Sequence, residues 1–95
     1  MPYRVDIYIG SDSDSRRLTE SYISMVREWA GNVFSEGYTL VRGNGCFKGT
    51  TEESILINAV SQYDMNLRDQ LRELKGKLGQ EAILLVKTCV DFEII

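Results

Sequence analysis

Hydrophobic and polar positions alternate along this chain in blocks of period two and period 3.6, the pattern of strands and helices taking turns. From Val5 to Ile9, Val5, Ile7 and Ile9 fall on one face and Asp6 and Tyr8 on the other, which predicts a half-buried first strand. After the polar run Ser11-Asp12-Ser13-Asp14-Ser15, the residues Leu18, Tyr22, Met25, Val26, Trp29 and Val33 form the apolar stripe of an amphipathic helix. Ser13, Asp14 or Ser15 is placed to cap it, and Gly31-Asn32 or, one turn later, Ser35-Glu36-Gly37 to end it. Tyr38 to Val41 reads as a second strand closed by the turn Gly43-Asn44-Gly45, and Ser54 to Val60 as a third. Cys46 to Thr51 then makes a longer connection than a tight hairpin needs. From Asp64 to Leu78, Leu67, Leu71, Leu74 and Leu78 share one helical face behind an Asp64 cap, and Gly79 stops the helix. Ala82 to Lys87 and Val90 to Ile94 form a final extended segment, broken near Thr88-Cys89 by a bulge or turn.

The order β-α-β-β-α-β predicts an α+β, ferredoxin-like sandwich over residues 1–95. An antiparallel sheet would carry both helices on one face, with room for an extra C-terminal strand. The opposite face is left open, and outward positions such as Tyr8, Leu56 and Phe92 are apolar enough to need a cover. The expected partner is a second copy of the chain, in a homodimer or higher homo-oligomer joined through the sheet face.

Composition narrows the function classes. A chain of 95 residues with 43% hydrophobic and 26% charged residues is the size of one domain. With 14 acidic against 11 basic residues the net charge is −3, which supplies no electrostatic footprint for nucleic acid. No apolar run approaches the length of a membrane helix and no signal peptide opens the chain, so a cytoplasmic protein is expected. Cys46 and Cys89 lack CxxC spacing and are read as reduced residues packing as small hydrophobes. Histidine is absent, no metal-ligand spacing is present, and nothing in the chain calls for a cofactor.

Three stretches could carry chemistry. The first is the loop after the first strand, where Ser11 and Ser13 could present an anion site at a helix N-terminus. Its Gly10 to Asp14 run, GSDSD, resembles the start of the aminoimidazole ribonucleotide carboxylase and mutase family, in which a similar loop holds a ribose phosphate. That family uses a histidine and a larger doubly wound sheet, so the likeness ends with the loop; Asp12 and Asp14 would favour the dipole of a capped helix and repel a phosphate. The second is Pro2: with Met1 removed, its secondary amine could act as a general base, and this start is similar to that of the tautomerase superfamily. Such a cofactor-independent isomerase would draw on Pro2 or on a carboxylate such as Glu53.

The third is Gly37-Tyr38-Thr39-Leu40-Val41-Arg42-Gly43-Asn44-Gly45-Cys46-Phe47-Lys48-Gly49. With Tyr8-Ile9-Gly10, Glu53 to Ile57, Gln80 to Leu84 and Val90 to Phe92, it resembles a family of small bacterial domains that share a G-x-G-x-[WF]-[RK]-G loop and have no assigned reaction. This chain carries Phe47 where tryptophan is frequent and shortens the insert before Glu53. The resemblance implies the fold and a candidate cleft. Physically, glycines at 43, 45 and 49 allow close backbone approach, Phe47 offers a stacking plane and Lys48 a charge. Arg42, Gly43, Gly45, Phe47, Lys48, Gln80 and Glu81 are therefore the expected ligand-binding set. The leading expectation is a non-catalytic oligomeric module for a small polar or anionic ligand.

Overall fold

The computed structural model describes residues 2–12 and 14–95. Its elements are β1 (Tyr3–Gly10), α1 (Glu20–Val33), β2 (Thr39–Phe47), β3 (Thr50–Ser61), α2 (Arg68–Leu78) and β4 (Leu84–Cys89). The four strands form one antiparallel sheet in the order β2-β3-β1-β4, the ferredoxin-like arrangement. Both helices pack on one face. Val5, Ile7 and Ile9 from β1 and Ile55, Ile57 and Ala59 from β3 meet Tyr22, Ile23, Val26 and Ala30 of α1 and Leu71 and Leu74 of α2, which exclude water from that side.

The helix ends differ from the sequence reading for local reasons. Thr19, not Ser13, Asp14 or Ser15, caps α1: its Oγ1 accepts a hydrogen bond from the Tyr22 N–H at 3.2 Å. Leu18, just before that cap, and Ile23, one turn inside, are both buried, the positions of a hydrophobic staple. Asp12 is instead spent within the loop, accepting from the Asp14 N–H at 2.8 Å while its carbonyl accepts from the Arg16 N–H at 2.7 Å. The apolar stripe is also rotated, with Ile23 and Ala30 buried and Met25 exposed. Gly31 lies inside α1, and Phe34 closes the helix, its ring edge-on to Trp29 at 6.0 Å. Helix α2 starts after Leu67, which has no capping side chain; Asn66 Oδ1 accepts from the Arg68 N–H at 3.3 Å, and Asp64 instead pairs with Lys87. Gly79 ends it as expected, at φ 65°, a conformation that strains any residue with a Cβ.

The glycine-rich run is not the expected turn. Gly43 and Gly45 sit within β2, opposite Ser54 and Glu52 of β3. The reversal comes at Lys48-Gly49, with φ of 51° and 77°, between the paired residues Phe47 and Thr50. Two central residues of positive φ are the signature of a tight type I′ hairpin, which corrects the expectation of a long connection. At the other end, β4 stops at Cys89, and the extra C-terminal strand does not form. Beyond that point β1 has run out of residues to pair with, and only the Val90 N–H still reaches it, at the Pro2 carbonyl, 3.2 Å. Cys46 and Cys89 are free and exposed rather than packed inside. No helix is long and apolar enough to cross a membrane among the described residues.

The register decides what faces the open side of the sheet. Residues directly opposite across antiparallel strands share a face. Tyr8 therefore lies with Leu56 and Leu84, and Leu56 in turn with Val41. Val86 extends this surface; Tyr8, Val41, Leu84 and Val86 are exposed and Leu56 is half-buried. Phe92 lies past the end of β4 and is not on the sheet.

Candidate functional site

On the open face, where β1 ends, a groove of about 510 Å³ is enclosed by four parts of the chain. That volume suits a small molecule. Tyr8, Gly10, Ser54, Glu52 and Gly45 form its floor, because β1, β3 and β2 all turn these alternate positions outward. The β2–β3 hairpin supplies one wall with Phe47 and Lys48, and the segment from Gly79 to Leu84 supplies the other with Gln80 and Glu81. Ser11 and Arg16 close the end. Lys48 and Glu81 join the two walls through an ion pair of 3.1 Å, and since both are well exposed it contributes little to stability.

Two small residues make the floor possible. A side chain at Gly10 would begin 2.5 Å from Glu52 Oε1 and 3.0 Å from Gln80 Oε1, so glycine is what admits those oxygens. At Gly45 a Cβ would sit 3.5 Å from Ser54 Oγ, an ordinary contact. Beneath the floor lies a hydrogen-bonded support. Gln80 Nε2 donates to the Ser11 carbonyl at 2.6 Å, the Ser11 hydroxyl donates to Glu52 Oε2 at 3.4 Å, and the Tyr22 hydroxyl donates to the Gly10 carbonyl. Ser11 is fully buried. Its carbonyl and hydroxyl are both engaged inside the fold, so it does not present the anion site expected of this loop.

Burial pushes the Tyr22 phenol up to about 12, with the Glu52 and Asp12 carboxylates adding to the rise. Tyr22 therefore remains a donor across the neutral range. An unfolded tyrosine ionises near 10, so the folded protein holds this proton more tightly. The stabilisation is complete below pH 10 and is lost as pH rises through about 12. Titration of tyrosinate absorbance should show Tyr22 ionising late, with Tyr3, raised by its hydrogen bond to Cys89, also above the ordinary value. Glu52→Gln should bring the Tyr22 step to lower pH; an unchanged step would mean the carboxylate does not act on Tyr22.

The groove gathers Gly45, Phe47, Lys48, Gln80, Glu81 and Ser11 from the residues expected by sequence. Arg42 is not among them: it shares the helix-facing side with Ile55 and lies 3.9 Å from Glu20. Gly43 is on the open face but outside the groove. Ser13 and Met1 lie outside the described residues. Pro2 sits before β1, and Tyr8, the first groove residue along that strand, is about 20 Å further on. Glu53 faces the loop before α1, accepting from the Leu18 N–H at 2.9 Å. The two outside candidates for a base, Pro2 and Glu53, thus do not share a site.

Glu52 is the residue that sequence reasoning missed. The signal was present, since a glycine at the end of β1 and an acidic residue two before Ser54 both fall on the outward parity, but only the pairing of Gly10 with Ser54 brings them together. Among the described residues no cation pairs with Glu52. With Lys48 and Glu81 neutralising each other, the remaining charges of the groove are Glu52 at its floor and Arg16 at its end.

No family model matches this chain, and no curated protein matches it either. Among solved structures, a phage SAM lyase in the apo state superimposes with a TM-score of 0.68, covering 90% of this chain and 78% of that one at 15% sequence identity. At that identity the similarity is one of fold: two chains with few residues in common arrange the same strands and helices around one sheet.

Proposed function

We propose that this chain is a small-molecule-binding domain whose groove takes S-adenosylmethionine or a molecule of its class, an aromatic nucleoside joined to a cationic arm. The observation that carries this reading is the Glu52 carboxylate, unpaired by any cation among the described residues, at the floor of a groove walled by Phe47. A carboxylate so placed favours a positively charged group, and an aromatic face favours a flat ring. The sheet neighbour named as a SAM lyase supplies the ligand to try first. The reading shifts the expected ligand from anionic to cationic, since Glu52 would repel an anion. It takes the domain to work in the cytoplasm.

Calorimetry with S-adenosylmethionine should give saturable, one-site binding, and Phe47→Ala should weaken it by roughly 1–2 kcal/mol. Absence of both heat and a thermal shift with the wild-type protein would overturn the assignment of ligand. A second reading, catalysis without a cofactor, draws on the same carboxylate, which touches whatever fills the groove. Chromatography of the incubated ligand separates the two, because a binding module returns it intact.

The open face, with Val41 and Val86 outside the groove and Tyr8 and Leu84 shared with its lining, is proposed to meet a second copy of the chain. Sedimentation should show an assembly at micromolar concentration that Val86→Asp dissociates. A strict monomer would remove this partner.

A further inference from the structure

Gln80 can direct only one end of its carboxamide at a time. Its Nε2 is committed to the Ser11 carbonyl at 2.6 Å, which turns Oε1 toward the groove. There Oε1 lies 3.0 Å from the point where a Gly10 side chain would start, and Glu52 Oε1 lies 2.5 Å from the same point. Two acceptor oxygens thus meet at the space that a Cβ on Gly10 would fill, packed against the bare glycine. Glu52 is held there by its other oxygen, which takes the Ser11 hydroxyl at 3.4 Å. The Gly10 carbonyl already receives the Tyr22 hydroxyl, so that donor is occupied below the floor. The groups that meet here accept hydrogen bonds, and one of them is an anion.

Helix α2 adds to the same polarity. It ends at Gly79, a lining residue of the groove, so the negative end of its dipole is close to Gln80. Lys75 and Lys77 in its last turn are outside the lining. The nearest cations of the groove are Arg16 and Lys48, and Lys48 is paired with Glu81.

Resting on the reading of the groove as a ligand site, we infer that Glu52 Oε1 and Gln80 Oε1 form a subsite for a primary ammonium group of the ligand, seated on the groove side of the oxygen pair that Gly10 admits. An ammonium has three donors and no acceptor, which suits two converging oxygens, and its charge meets Glu52. The subsite discriminates by charge as well as by shape, so a ligand lacking the amine would bind through the aromatic wall alone.

Three probes test this: S-adenosylmethionine; 5′-methylthioadenosine, a neutral nucleoside thioether without the amino-acid arm; and n-butylammonium chloride, with n-butanol as its uncharged match. Glu52→Gln should weaken S-adenosylmethionine by about tenfold or more and 5′-methylthioadenosine far less, while an amide spectrum unchanged outside the groove shows that the variant is folded. Amide NMR should show saturable shifts at Gly10, Ser11 and the Gln80 side chain with n-butylammonium, none with n-butanol, and none with either in Glu52→Gln. Equal S-adenosylmethionine affinity in wild type and Glu52→Gln would overturn the subsite while the ligand assignment stands. Failure of both nucleosides to bind, with saturable n-butylammonium shifts, would overturn the ligand assignment and support the subsite. No n-butylammonium shift at these positions would overturn the subsite.

Discussion

Ile57→Ala is expected to lower the free energy of unfolding by about 3–4 kcal/mol. Ile57 is wholly buried at the middle of β3, opposite Ile7 on β1 and Leu40 on β2, with the helix layer above it. Truncation removes three carbons from a close-packed site, and strands hydrogen-bonded on both sides cannot collapse into the space, so the loss combines transfer and cavity contributions. For a domain of this size that is a large share of a total of roughly 5–10 kcal/mol. Urea unfolding should show a lower midpoint with an unchanged slope. Val60→Ala, on the open face of the same strand, should cost less than about 1 kcal/mol. Equal effects from the two would mean that the sheet is covered on both sides even in the isolated chain.

Gly10→Val should abolish ligand binding while leaving the fold largely intact. The new Cβ would start 2.5 Å from Glu52 Oε1 and 3.0 Å from Gln80 Oε1. Both of those are ends of flexible side chains that can swing away, and valine suits an extended strand, so the backbone has little reason to move. The groove, however, loses the convergence of the two oxygens that Gly10 admits. Calorimetry with S-adenosylmethionine should give no measurable heat, while the thermal midpoint shifts by a few degrees at most. A variant that binds normally would place the ligand elsewhere.

Much of the fold was legible because periodicity and burial agree wherever an element has one dry face. The alternation Val5, Ile7, Ile9 and the leucine spacing 67, 71, 74 each mark a side that meets the core, and both survive intact. The GNG run misled because glycine has two uses, and here it keeps the sheet surface low rather than turning the chain. The true reversal at Lys48-Gly49 was harder to see, since lysine is an unusual occupant of a positive-φ position. Thr19 was overlooked as a cap because Ser13, Asp14 and Ser15 offer better-looking capping groups, yet the Ser15 hydroxyl bonds to the Arg17 backbone within its own loop. Part of the site was readable, namely Ser11, Gly45, Phe47, Lys48, Gln80 and Glu81. Glu52 was not, because its role depends on register, and register joins residues that lie more than forty positions apart, as in the Ser11 to Glu52 contact.

The strand order also dictates when this molecule can finish folding. β2 and β3 are joined by a two-residue turn and can zip together locally, on the microsecond scale of hairpins. β1 is made first yet lies between β3 and β4, the latter made last. During synthesis the first strand must wait, unpaired and apolar on one side, until β3 has left the ribosome, and it gains its second neighbour only with the final segment. The slow step is therefore insertion of the oldest strand between younger ones, a non-local closure that sets the folding rate. Because the groove is floored by the end of that same strand and its second wall, Gly79 to Leu84, leads into β4, the site is complete only once that last strand has docked.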